Sequence, residues 1–229
     1  MKCTDKFTEK SRYDMGDLLE IMTLLRAPDG CPWDREQDHK SIRRDLLEEC
    51  YETIEAIDAE SPEMLCEELG DVLLQVVFHS ELEREAGRFD FSDVVHGVAK
   101  KMVVRHPHVF GEVQAETSDD VLRNWDTIKR ETKHQTEQDV LRSVTPAMPA
   151  LMRAQKVLKK AAGFGAESGE IPALRDKLSS AAQTAQNAGD VGDMLMTATE
   201  LARKLGVDAE RALYEACRAY IEAFPEKNR

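Results

Sequence analysis

The apolar residues of this chain recur at helical spacing almost from end to end. They do so over 14–26, 42–59, 63–86, 91–105, 118–132, 149–162, 172–186, 190–205 and 208–223, with almost no β-branched alternation. A period of 3.6 residues does not suit a pleated strand, whose faces repeat every two. The pattern predicts an all-α fold. With 229 residues, 41% of them hydrophobic, the chain is long enough for one large or two small domains and can bury a core. Its longest apolar run, Val72-Leu73-Leu74-Gln75-Val76-Val77-Phe78, is far shorter than the ~20 residues that cross a bilayer.

Proline and glycine divide the pattern. Ala27-Pro28-Asp29-Gly30-Cys31-Pro32-Trp33-Asp34 holds two prolines and a glycine, which predicts a structured loop with no helix in it. Ser61-Pro62-Glu63 reads as a helix start, Gly87 as the end of that helix, and Ser92 as the cap of the next. Residues 132–147 are polar and aperiodic, as a linker would be. Beyond them "ELGDVLLQ" (68–75) returns as "DVGDMLMT" (190–197), aligning Glu68 with Asp190 and Asp71 with Asp193. Two copies of one helical unit are expected, over 14–131 and 148–224.

A net charge of −13 disfavours a surface that binds nucleic acid by neutralising phosphates. Five cysteines (Cys3, Cys31, Cys50, Cys66 and Cys217), with no C-x-x-C pair, argue for reduced thiols over a disulfide framework or a zinc site. The charged N-terminus has no apolar segment of the kind a secretory signal needs, so a cytoplasmic protein is expected.

The acids are concentrated. Over 46–57, which takes in "LEECYETIEAI" (47–57), Leu46, Leu47, Cys50, Tyr51, Ile54 and Ile57 share one helix face, and Glu48, Glu49, Glu52 and Glu55 the other. Alone, that is an amphipathic helix with a solvated acidic side. The following helix is apolar over most of its circumference and keeps a narrow stripe of Glu67, Glu68, Asp71, Gln75 and His79. If the stripe meets the acidic side, at least four carboxylates converge in a partly desolvated groove. Such a group tolerates its own repulsion by binding protons or divalent cations. The i, i+3 pairs Glu49/Glu52 and Glu68/Asp71 set carboxylates one turn apart, and oxygen donors in this number suit Mg²⁺ or Mn²⁺ better than zinc.

E-E-x-x-E at 48–52 followed by E-x-x-D at 68–71 resembles the metal-binding signature of the MazG family of nucleoside triphosphate pyrophosphohydrolases. "GCPWDREQ" (30–37), "GRFDF" (87–91), "RHPHVFG" (105–111), "NWDTIKRE" (124–131) and "LMRAQKV" (151–157) are similar to phrases of the same family. The resemblance implies helical bundles that form homodimers. It also implies Mg²⁺ held by the two acidic helices, and hydrolysis of NTPs to nucleoside monophosphate and pyrophosphate.

By that resemblance Glu49, Glu52, Glu68 and Asp71 are expected metal ligands, with Glu48 a further ligand or, alongside Glu52, a catalytic residue that prepares the water. Lys101 and Arg105, i and i+4 on one helix, would face the polyphosphate, and Trp33 and Trp125 would stack on a base. Each also reads as a surface charge or a core aromatic. His39 in "EQDH" fits half of a di-iron E-x-x-H pattern, but its second half is missing. The second copy departs from the family at Ser180, Ala181 and Thr184, where glutamates are expected, so it is read as degenerate. A narrower pyrophosphatase for dUTP, dCTP or phosphoribosyl-ATP and a non-catalytic nucleotide-binding regulator are the competing readings.

Overall fold

A computed structural model of the chain describes residues 5–8, 10–113, 115, 117–118, 120–121, 124–125, 128, 135–166 and 168–224. Every regular element among them is a helix. The expected helices recur within about two residues at each end, except 118–132, of which only part lies among the described residues. The chain divides into two compact units, Met1–Ala115 and Glu116–Arg229.

The first unit contains α1 (Asp5–Thr8), α2 (Met15–Arg26), α3 (Pro32–Glu36), α4 (Arg43–Asp58), α5 (Pro62–Glu85), α6 (Phe91–Arg105) and α7 (Pro107–Phe110). α5 is its axis, with α2, α4 and α6 all packing on it. A three-residue turn joins α4 to α5 and makes them antiparallel neighbours. Glu60 takes φ 51° there, the left-handed conformation that ends many helices, while Ser61 caps α5 by accepting from the Met64 N–H at 3.3 Å. The core gathers Met22 of α2, Ile42, and Val77 and Phe78 of α5, with Leu18, Leu73, Leu74, Leu82 and Phe91 packed around them.

Three local expectations are corrected. The 27–34 stretch is a loop only as far as Cys31: α3 begins at Pro32, whose preset φ and missing N–H suit the first helical position. α6 is capped by Asp90, which accepts from the Ser92 and Asp93 N–H groups, and Ser92 lies inside the helix. Within the segment read as linker stands a short helix, Glu137–Arg142, started by a Thr136/Asp139 capping box.

Arg26 fastens the loop to α5. Its Nε and Nη2 each donate to the Glu85 carboxylate at 2.8 Å, and Nη1 donates to the Asp34 and Gln37 carbonyls. The guanidinium also lies over the Phe78 ring, 5.4 Å from its centroid. Gly30 allows the same close fit, since a Cβ there would come within 2.3 Å of the Leu24 and Leu25 carbonyl oxygens. Arg26→Ala strands two loop carbonyls and the Glu85 carboxylate, so a loss of about 3 kcal/mol is expected in chemical denaturation.

In the second unit α8 (Glu137–Arg142) is followed by α9 (Ala150–Gly163), α10 (Ile171–Thr184), α11 (Ala188–Lys204) and α12 (Ala209–Glu222). Here α11 packs against α9 and α10 and buries Glu200 between Arg203 and the Ser168 hydroxyl. No helix among the described residues is long and apolar enough to cross a membrane.

Candidate metal centre

The inner face of α4 is the stripe Leu46, Glu49, Thr53 and Ala56, spaced three or four apart. Ala56 is wholly buried, and its small side chain lets the two helices approach closely. Most of the apolar face is turned outward: Leu47, Tyr51, Ile54 and Ile57 are each more than half exposed. The helical period is as read, and part of the acidic side meets the stripe of α5. Packing of α4 on α5 turns Glu49 inward, towards Glu68 and Asp71 of α5.

Carboxylate oxygens of Glu49, Glu68 and Asp71 lie within 4.8 Å of one another, and all three residues are half-buried. This is the one cluster of potential metal-ligating side chains found among the described residues. Burial pushes the Glu49 carboxyl above its ordinary value, and the charges of Asp71, Glu52 and Glu68 add to the shift. Burial likewise raises Glu68, followed by the charges of Glu52, Glu67 and Asp71. Glu52 is exposed and lies outside the group of three, but its charge adds to the upward shift of both Glu49 and Glu68. A set of oxygen donors with crowded negative charge is suited to a hard divalent cation. Gln75, one turn beyond Asp71, buries its Oε1 with no hydrogen-bond partner among the described residues.

The raised carboxyls have a consequence for stability. In metal-free protein they take up protons in the folded state before they would in the unfolded chain. Folding is therefore favoured as pH falls towards 4.5 and disfavoured as pH rises through the elevated values. Glu83, held down to about 2 chiefly by its hydrogen bonds to Arg88, does not titrate in that window. Set against a Glu49→Gln/Glu68→Gln double variant in chelator, the native Tm should gain as pH falls from neutrality towards 4.5; the comparison cancels the opposite contribution of His79, whose lowered pKa disfavours folding as pH falls.

The other expected site residues are distributed more widely. Glu48 is exposed and outside the group of three. Lys101, exposed, and Arg105, half-buried, are four residues apart on α6. Trp33 of α3 is 56% exposed, and Trp125 is half-buried in the second unit. His39, weighed above as part of a di-iron motif, pairs instead with His79 and Glu83 through its two ring nitrogens. The polar stripe on α5 pointed to His79 and the "EQDH" phrase to His39, but their pairing across 40 residues left no signal in either.

Residues 37–110 match the family model described as the MazG nucleotide pyrophosphohydrolase domain. The chain is similar to the nucleoside triphosphate pyrophosphohydrolase/pyrophosphatase MazG of Thermotoga maritima, with 38% identity covering 91% of this chain and 83% of that one. It is also similar to a nucleoside triphosphate pyrophosphohydrolase of Escherichia coli strain K12, at 39% identity over 93% of this chain and 86% of that one. The YabN protein of Bacillus subtilis strain 168 is 45% identical over 64% of this chain, a match that spans 30% of that protein.

Proposed function

This chain belongs to the MazG family, and from that premise we propose that it hydrolyses nucleoside triphosphates to nucleoside monophosphate and pyrophosphate, using Mg²⁺ held between α4 and α5. The convergence of Glu49, Glu68 and Asp71 carries the reading. Glu52, whose charge bears on both Glu49 and Glu68, would complete the ligand set. Mn²⁺ would meet the same oxygen donors.

Bound there, Mg²⁺ would offset the charge of the triphosphate, polarise the α-phosphorus and lower the pKa of an attacking water. The chain's own groups do the rest. Glu48 would orient the water and accept its proton, with Glu52 the alternative acceptor, and Lys101 and Arg105 would steer the β- and γ-phosphates. Trp33 offers an indole face to a base. The buried, unpartnered Gln75 Oε1 favours a bound group next to the acids, since such an atom otherwise costs stability.

On this reading residues 14–131 form the catalytic domain and 148–224 a degenerate copy. Asp190, aligned with Glu68, is occupied in capping α11, accepting from the Gln186 N–H and the Asn187 side-chain amide at 2.9 Å each. The outward face of α4, with exposed Met64 and Leu69 on α5, supports a homodimer. The cytoplasm, where nucleoside triphosphates are made and spent, is where such an enzyme would work, clearing unwanted nucleotides.

The test is a product assay with each common NTP and dNTP plus Mg²⁺. Pyrophosphate is the expected product. Binding without turnover would support the regulatory alternative, and release of orthophosphate alone would mean that another bond is cut.

A further inference from the structure

Next to the acids, along the same α4–α5 groove, lies a cavity of about 360 Å³ walled by Leu46, Val76, Phe89 and Val94 and edged by His39 and His79. Leu46 is one turn before Glu49, and Val76 and His79 are about 7–12 Å beyond Asp71 along the helix axis. An apolar hollow at that spacing suits an uncharged ring better than a phosphate.

The two imidazoles meet edge to edge, with centroids 5.0 Å apart, planes 10° from parallel and their Nδ1 atoms 2.7 Å apart. His39 Nε2 lies 2.6 Å from Glu83 Oε1, and Arg88 holds both oxygens of that carboxylate. A carboxylate only accepts, so His39 Nε2 must carry a proton. The short Nδ1–Nδ1 contact accommodates one proton, because two would collide and none would leave two lone pairs opposed.

Two states remain. In the neutral pair His79 Nδ1 donates to His39, leaving His79 Nε2 as an acceptor. With one more proton His39 Nδ1 donates to His79, and His79 Nε2 becomes a donor. Among the described residues that atom has no recorded partner.

We propose that the His39–His79 pair reads the hydrogen-bonding edge of a nucleobase in this cavity, presenting an acceptor when neutral and a donor when protonated. This rests on the reading of the adjacent acids as the phosphate end of a nucleotide site. Among the described residues few other charges bear on the pair. Glu83 and Arg88 face it, Asp38 and Lys40 flank His39, and α2 meets α5 with Arg26, which Glu85 takes up. α4 and α6 contribute only Leu46 and Val94 to the cavity wall. Burial and the neighbouring His39 charge hold the His79 pKa below its usual value, which limits the pair to one added proton.

The experiment compares inosine triphosphate, whose ring carries a 6-oxo acceptor, with ATP, whose ring carries a 6-amino donor, between about pH 6 and pH 8. Inorganic tripolyphosphate is the control without a base. The ratio of kcat/KM for inosine triphosphate to ATP should rise about three- to tenfold towards pH 6, the effect of one ordinary hydrogen bond. The rise should vanish in His79→Gln and in His39→Gln, and imidazole ¹⁵N spectra of the native protein should show one proton shared by the pair. A flat ratio, or a rise that survives both substitutions, overturns the proposal while leaving the hydrolase reading intact. Failure to hydrolyse any nucleotide refutes both.

Discussion

Asp71→Asn and Glu68→Gln should each lower kcat/KM for pyrophosphate release by about a hundredfold or more. Groups one layer outside a catalytic metal commonly cost ~10–100-fold when replaced, and a direct ligand is expected to cost more. The same substitutions should leave the metal-free protein no less stable, because each removes a carboxylate from a cluster whose members repel one another. That combination separates loss of a ligand from loss of the fold. Glu55→Gln, on the exposed side of α4, is the matched control and should stay within about twofold of the native rate. Equal losses at Glu55 and Asp71 would assign the effect to overall charge.

The second large effect concerns assembly. Leu47, Tyr51 and Ile54 form an i, i+4, i+7 row, each residue 51–55% exposed, on the side of α4 turned away from α5. If a second copy covers that row, Ile54→Glu buries a carboxylate without a partner. The penalty is several kcal/mol, which weakens association by about a hundredfold or more. Sedimentation at micromolar concentration should show the native protein at twice its 25.8 kDa chain mass and the variant at the monomer mass. A native protein that sediments as a monomer would contradict the dimer.

Much of this was legible in the sequence. Helix positions followed from apolar period and from punctuation, because Ser61-Pro62 and Gly87 act through local backbone geometry that any context preserves. The i, i+3 spacing of Glu68 and Asp71 survives folding in the same way, whereas the choice of Glu49, Glu52, Glu68 and Asp71 as ligands came from the resemblance of E-E-x-x-E and E-x-x-D to the family's signature. The orientation of α4 could not be read so directly. Its wheel shows an apolar side and an acidic side, and the natural inference buries the apolar one. In the structure Ala56 and Thr53 make a tighter seat on α5, and the acid between them and Leu46 is carried inward. A wheel records which residues share a face, not which neighbour will claim it. The His39–His79–Glu83 link was hidden for a related reason. It joins a loop to the far half of α5, and no local period connects residues 40 positions apart.

The central claim is that the α4–α5 carboxylates direct water at the α-phosphorus. Hydrolysis in ¹⁸O-labelled water with Mg²⁺ tests it most directly. The account predicts label in the nucleoside monophosphate, none in pyrophosphate, and no incorporation above background with Asp71→Asn. Label in pyrophosphate or orthophosphate, or undiminished incorporation by the variant, would contradict it.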